Sequence, residues 1–137
     1  MATFNKFDSF VEALAEKVHN LGSDQLVVAL CAAANAPVAG NTVLANLTQI
    51  TYTNLSSRNI TTTSSSQTSG TYKLVLTDLV LTASGAVGPF RYVVIYNDTA
   101  GNDELIGWYD YGSEVTLANG DTFTIDFDAS NGVLQIA

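Results

Sequence analysis

Carboxylates and aromatic rings lie side by side in the segment ELIGWYDYG, which runs from Glu104 to Gly112. Carboxylates beside aromatic rings can bind and cleave sugars. The segment also has the alternation of a β-strand, whose rings either pack or form an interface. Its two faces are Leu105, Gly107 and Tyr109 against Ile106, Trp108 and Asp110. We favour the strand, because the chain has only one Trp to stack on a sugar ring. A glycan-binding module is kept as an alternative.

Other residues that could do chemistry are isolated from one another. His19 is the only histidine, and the dipole of a predicted helix accounts for its position near the helix end. Cys31 is the only cysteine and lies in the apolar run LVVALCAAA, which predicts a buried thiol. The sequence contains no nucleophile elbow, phosphate-binding loop or dinucleotide fingerprint. We therefore predict a protein that is not an enzyme, with no catalytic residue and no cofactor.

A calcium site is the one metal site that the sequence suggests. The segment DFDASNG, from Asp126 to Gly132, spaces its oxygen atoms somewhat like an EF-hand loop. Its glycine comes one position late, and no glutamate follows to act as the bidentate ligand. We predict no metal site and keep weak calcium binding as an alternative.

The charge distribution is strongly asymmetric. The net charge is −8, and no Lys or Arg follows Arg91. Eight acidic residues do follow it: Asp98, Asp103, Glu104, Asp110, Glu114, Asp121, Asp126 and Asp128. Phosphate backbones are bound mainly through Lys and Arg, so we predict no nucleic-acid partner. The acidic C-terminal part is either a solvated surface or a face that docks on a basic neighbour.

The periodicity predicts a mainly β fold. We expect one domain over residues 1–137, an antiparallel β-sandwich or barrel with one N-terminal amphipathic α-helix. The helix is expected at about 5–20, from the apolar stripe Phe4, Phe7, Val11, Leu14 and Val18, and the β-core at about 25–137. Eight strands are predicted at 25–32, 49–53, 59–63, 71–82, 90–96, 105–109, 121–127 and 133–136, with a helical turn at 43–47. No stretch is long and apolar enough to predict a membrane span.

Three of these segments have distinctive patterns. Residues 72–82 carry apolar side chains on both faces, which predicts one central strand buried on each side. In FTIDFD, Phe123, Ile125 and Phe127 share one face, which predicts a strand with one solvated side. The Thr- and Ser-rich residues 61–70 predict an edge strand that runs into an exposed loop.

Three long segments carry a resemblance to a known family. They are FNKFDSFVEALAEKVHNLGSDQLVVAL, TNLSSRNITTTSSSQTSGTYKLVLTDLVLTASG and VGPFRYVVIYNDTAGNDELIGWYDYGSEVTLANGDTFTIDFDASNGVLQIA. Together they resemble a family of small proteins encoded among the virion structural genes of tailed bacteriophages. The resemblance covers nearly the whole chain.

The resemblance implies a virion component present in many copies. Our first hypothesis is a capsid decoration or cement protein that binds the assembled shell by non-covalent contacts. The alternative is a tail-tube, head-tail connector or other tail-associated subunit. The implied partners are copies of the chain itself and other virion proteins, either the major capsid protein or tail and connector proteins. We expect synthesis in the host cytoplasm and a final location in the virion.

Interface residues are predicted in three parts of the chain: the N-terminal segment, the polar arm over 56–70 and the aromatic strand. Exposed aromatic and Arg side chains commonly anchor protein interfaces. The candidates are Phe4, Phe7, Arg58, Trp108, Tyr109 and Tyr111.

Overall fold

The computed structural model describes residues 2–137. Within them it has one α-helix, α1 (Ser9–Ala15), and 3-10 turns at Ala33–Asn35 and Leu44–Asn46. The strands are β1 (Asn5–Lys6), β2 (Leu26–Cys31), β3 (Asn59–Ile60), β4 (Thr62–Thr68), β5 (Thr71–Leu76), β6 (Leu79–Thr82), β7 (Val87–Asn97), β8 (Leu105–Leu117), β9 (Thr122–Ile125) and β10 (Leu134–Ile136). The prediction of a mainly β fold with one helix is confirmed.

The strands form three antiparallel sheets arranged as a sandwich. The large sheet has the order β1-β8-β7-β2-β3, and the smaller sheets are β10-β5-β4 and β6-β9. The sheets formed by residues 2–137 do not close into a barrel. The main core includes residues from the large sheet and from both smaller sheets.

Strand β2 is buried on both faces because an apolar cluster packs against each of them. Leu26, Val28 and Leu30 face the main core. Val27, Ala29 and Cys31 face a second apolar cluster, on which Leu44 and Leu47 pack. Cys31 is buried, which confirms the prediction, and this burial raises the pKa of its thiol to about 11.

Strands β6 to β9 form two nested antiparallel pairs. Strand β7 pairs with β8, and β6 pairs with β9. The two pairs meet at a corner where Ala83 N donates to Asp121 O at 2.9 Å and Gly120 N donates to Ala83 O at 2.8 Å. Beyond the corner β9 packs over β7, and the rings of Phe90 and Phe123 meet edge to face.

The predicted single strand over 71–82 is wrong, because the chain breaks between β5 and β6. Leu74 and Leu76 are buried before the break, and Leu81 is buried after it. At the break, Thr77 N donates to Thr61 O at 2.9 Å and Asp78 Oδ1 accepts from Phe127 N at 2.9 Å. The buried side chains are at even-numbered positions in β5 and at an odd-numbered position in β6. The apolar residues that were predicted to lie on two faces of one strand therefore belong to two separate strands. By contrast, Ile125 and Phe127 are buried and Asp126 is exposed, so the one-sided pattern of FTIDFD is confirmed.

The predicted helix at 5–20 is too long at both ends. Asn5 and Lys6 pair with Trp108 and Gly107 of β8, so the chain is extended before α1 begins. After Ala15, Lys17 takes a left-handed backbone conformation with φ 69°, which ends the helix.

Two further predictions about strands also differ from the structure: one predicted strand is absent, and another is longer than predicted. Residues 49–53 form no strand. Ile50 N donates to Leu30 O at 3.0 Å, but the Leu30 N–H donates to a side chain, the Tyr52 hydroxyl, at 2.8 Å and not to a second backbone carbonyl. In the Thr- and Ser-rich segment, β4 continues to Thr68 and a turn at Ser69 and Gly70 leads directly into β5. Both turn residues have positive φ, as in a type I′ hairpin, so a tight turn stands where an exposed loop was predicted.

Candidate functional site

A β-bulge near the start of β8 changes which residues share a face with Trp108 and Tyr109. Ile95 pairs with Gly107 and Tyr96 pairs with Leu105, so Ile106 is the extra residue of the bulge. The simple alternation predicted over 105–110 is therefore wrong. Leu105 and Trp108 belong to the second apolar cluster, whereas Ile106 and Tyr109 belong to the main core.

Phe7 and Trp108 pack against each other on one face of the large sheet. Their ring centroids are 4.6 Å apart. Phe7 is completely buried within the chain, so it exposes no surface through which to contact a partner. Trp108 is half-buried beside it.

Phe4 and Tyr109 pack together on the opposite face. Their centroids are 5.5 Å apart, and the Phe4 ring lies over Gly107. A Cβ atom at Gly107 would overlap this ring and would lie 2.7 Å from Asn5 O. The missing side chain at Gly107 is therefore what lets Phe4 and β1 approach β8 closely. Phe4 and Tyr109 are both half-buried.

A second, wider irregularity in β8 presents Tyr111 to solvent. Residues 111–114 of β8 lie opposite the single residue Arg91 of β7, and Gly112 has φ 94°. Asp110 stabilises the loop formed by residues 111–114, because its Oδ1 accepts hydrogen bonds from Arg91 Nε and from Gly112 N, each at 2.8 Å. The Arg91 guanidinium accordingly holds the pKa of the Asp110 carboxyl below its usual range. Tyr111 is 54% exposed.

An opening of about 410 Å³ lies beside Tyr111, between β8 and β9. Its lining is mostly apolar: Ala2, Val93, Tyr109, Tyr111, Phe123, Thr124, Ile125 and Asp126. Four of these residues, 123–126, are consecutive. Successive strand residues point to opposite faces, so the opening runs along the edge of β9 and not along one of its faces.

The charge around the opening is negative. Asp126 lines it and is exposed. The charge of Asp128 adds to burial in raising the pKa of Tyr109 to about 12, with burial the larger cause. The Asp128 carboxylate is itself stabilised by hydrogen bonds from Asn131, which lower its pKa. Tyr109 is therefore a neutral phenol at physiological pH beside an ionised carboxylate.

Asp128 also organises the segment for which calcium binding was considered. Its Oδ1 accepts from Ser130 N at 2.9 Å and Asn131 N at 2.8 Å, and its Oδ2 accepts from Asn131 Nδ2 at 3.0 Å. The segment 126–132 thus folds as a turn around its own aspartate. Residues 2–137 contain no group of three or more His, Cys, Asp or Glu side chains that could hold a metal ion.

Arg58 lies apart from these residues, near the opposite edge of the large sheet. Its guanidinium carbon stands 3.7 Å from the centroid of the Tyr52 ring, and its Nη1 donates to Val28 O. Val28 N donates to the backbone carbonyl of Arg58 at 3.0 Å. Arg58 therefore hydrogen-bonds to both backbone groups of Val28 at the edge of β2, next to the point where β3 begins. This is a structural role within the chain.

A buried polar cluster fixes the turn between β7 and β8. Asn97 Oδ1 accepts from Thr99 N at 3.0 Å and Ala100 N at 3.2 Å, so its Nδ2 faces Asp24 and His19. Because Nδ2 is a donor, His19 Nδ1 accepts and the proton lies on Nε2, which has no partner among the described residues. Burial lowers the pKa of His19, while the carboxylates of Glu104 and Asp24 oppose that shift.

Of the six predicted interface residues, the structure brings only Tyr109 and Tyr111 to the opening. Phe123 and Ile125 of β9 complete it, although the sequence suggested only a core-facing role for them. Their apolar periodicity was visible, but not the nested pairing that sets β9 beside β8.

The chain matches no family model, no curated protein and no solved structure. Among residues 2–137, no helix has the length and apolar character needed to cross a membrane.

Proposed function

We propose that this chain is a structural subunit of a tailed-bacteriophage virion, a decoration protein that binds the assembled capsid by non-covalent contacts and has no enzymatic role. The observation that carries the proposal is the apolar opening beside Tyr111. Its largest exposed side chain is aromatic, and such side chains anchor protein interfaces. The resemblance to virion structural proteins supports the same role.

The charge of the chain favours protein partners. The chain has only five Lys and Arg residues against thirteen Asp and Glu residues, and no Lys or Arg follows Arg91. Such a surface repels polyanions and attracts basic protein surfaces.

Weak contacts suffice for a subunit present in many copies. A symmetric shell repeats the binding site, and each repeated contact adds to the total binding free energy. A chain of this size can therefore contribute to a particle through one opening of modest volume.

The tail or connector role is the second candidate, and strand β4 favours it. Strand β4 is an outer strand of its sheet, and residues 59–72 include no charged side chain. Charged side chains commonly protect edge strands from pairing with other strands. An uncharged edge is suited to pairing between copies of the chain in a ring or tube.

Reconstitution tests the proposal. Purified chain is mixed with particles that lack it, and the mixture is sedimented through a gradient. We expect the chain to sediment with intact capsids and with capsids that carry no tail. Sedimentation with tails alone would favour the tail role, and recovery only at the top of the gradient would reject both.

A further inference from the structure

The opening between β8 and β9 has a free strand edge along one side. Strand β9 pairs with β6 alone in a two-stranded sheet, so its other edge has no paired strand among residues 2–137. The lining by consecutive residues 123–126 places that edge in the opening. A free edge beside an apolar hollow is the arrangement that binds an extended peptide, which gains backbone hydrogen bonds from the edge and side-chain contacts from the hollow.

The opposite side of the opening is held in place by the irregularity in β8. Asp110 binds both Arg91 and Gly112 N, and this ties down the loop that carries Tyr111. The Tyr111 ring meets Phe123 at a centroid distance of 5.3 Å. Tyr111 is thus positioned without being buried, so a ligand finds the hollow already formed.

The charge of the rim selects among possible ligands. Asp126 lines the opening, and Asp128 lies close enough to affect Tyr109. Among the basic residues nearby, Arg91 is paired with Asp110. Lys73 donates to Ser130 O at 3.1 Å and its charge partly offsets that of Asp128, so the negative charge of the rim comes mainly from Asp126. An acidic rim attracts Lys and Arg and repels another acidic protein.

Two other ligands fit the opening less well. A second copy of the chain would bring a further net charge of −8. A glycan requires several polar groups for its hydroxyls, whereas among the described lining residues only Thr124, Asp126 and Tyr111 have exposed polar side chains. The hollow formed by Val93, Tyr109 and Ile125 suits an apolar side chain.

We propose that an extended, basic segment of another virion protein binds along the free edge of β9. One of its apolar side chains fills the hollow beside Tyr111, and a neighbouring Lys or Arg pairs with Asp126. This inference rests on the proposed virion role, because that role supplies the partner protein.

The test uses two fluorescently labelled, end-blocked peptides of alternating residues, KVKVKVK and EVEVEVE. Their binding is measured for the full chain by fluorescence anisotropy at two salt concentrations. Tyr111→Ser and Asp126→Asn probe the site. Val38→Ser is the matched apolar control, because Val38 is similarly exposed at 58% and lies outside the opening, and Asp98→Asn is the charge control.

We expect KVKVKVK to bind and EVEVEVE to show no binding. Tyr111→Ser and Asp126→Asn should each weaken the affinity for KVKVKVK at least about tenfold, the controls should change it less than about twofold, and added salt should weaken it. Circular dichroism checks that each variant is folded. A wild-type chain that does not bind KVKVKVK, or equal binding by all variants, would overturn the proposal.

Four further results separate the alternatives. Glycan-array binding that is lost in Tyr111→Ser would replace the peptide with a sugar, and self-association that is lost in the same variant would replace it with a second copy. If Tyr111→Ser still enters particles at the wild-type level, the proposal for this surface is rejected but the virion role stands. If the wild-type chain binds KVKVKVK but is absent from particles, the virion role is rejected instead.

Discussion

Tyr111 and Phe123 meet edge to face across the gap between β8 and β9, with ring centroids 5.3 Å apart and planes inclined at 63°. Phe123 in turn meets Phe90 at 5.2 Å, so the contact joins an exposed ring to the buried core. Aromatic pairs of this geometry stabilise by more than their buried area alone suggests. The exposed ring therefore has a defined position, which is what a recognition surface requires.

Replacing Gly107 should separate β1 from β8. In Gly107→Ala the new methyl group would overlap the Phe4 ring and approach Asn5 O to 2.7 Å. We expect the free energy of unfolding to fall by about 1–3 kcal/mol, the usual cost of overpacking. Urea denaturation measures the change. Gly101→Ala is the control, because a Cβ atom there meets no atom within 4 Å, and an equal loss in both variants would refute this account of Gly107.

Truncating Phe7 should affect folding and leave binding specificity unchanged. Phe7 is fully buried against Trp108, so Phe7→Ala leaves a cavity and should lower the free energy of unfolding by about 3–5 kcal/mol. Denaturant titration measures the loss, and binding of KVKVKVK is measured at 10 °C on the fraction that remains folded. Wild-type stability combined with lost binding would mean that Phe7 is an interface residue after all.

The sequence predicted which side chains of a strand are buried more reliably than it predicted where strands begin, where they end and which strands pair. The burial of β2 and the one-sided pattern of FTIDFD were predictable, because each depends on local periodicity. The break at Asp78 was not, because the Asp78 carboxylate accepts a backbone N–H from Phe127, which is distant in sequence.

The candidate site was predicted only in part, for a similar reason. Trp108, Tyr109 and Tyr111 were recognised as a group, with Trp108 and Tyr109 on opposite faces. The bulge at Ile106 nevertheless changes their neighbours, because it puts Trp108 on the face of Leu105 and Tyr109 on the face of Ile106. A one-residue shift of register inverts every following side chain, and periodicity within a single strand carries no information about its partner's register. The contribution of β9 depends on the same long-range pairing.

Stability should decrease as the pH falls below about 6.5 because of His19. Burial lowers the pKa of His19 in the folded chain below its ordinary value of 6.5, so the unfolded chain takes up the proton first. Above pH 6.5, the contribution of His19 to the free energy of unfolding should not change with pH. Between 6.5 and the folded pKa it should fall, with a slope of at most about 1.4 kcal/mol per pH unit.

Denaturation of the wild type and of His19→Gln at pH 7.5 and 5.5 tests this expectation. The variant should lose the pH dependence in that interval, even if its stability is lower at both values. The carboxyls of Asp110 and Asp128 have lowered pKa values, so their contributions are lost only at lower pH, below the ordinary value of 3.8. An unchanged slope in His19→Gln would show that other groups cause the dependence.

A charge on β4 should distinguish the two candidate roles. Ser66 is exposed on this uncharged edge strand, and Ser66→Lys would place like charges side by side if two β4 edges paired. For a decoration protein that binds through the β8–β9 opening, we expect incorporation into particles to be unchanged. Analytical ultracentrifugation and gradient sedimentation measure self-association and incorporation, and loss of both in Ser66→Lys would favour the ring or tube.

The most direct test of the virion role is a cryo-EM reconstruction of the particle whose genome encodes this chain. We predict density for the sandwich on the outer capsid lattice, with the opening between β8 and β9 facing an extended segment of a neighbouring protein. A ring of density at the portal or along the tail axis would contradict the decoration role and favour the connector or tail role. Particles without any density for the chain would contradict the proposed function altogether.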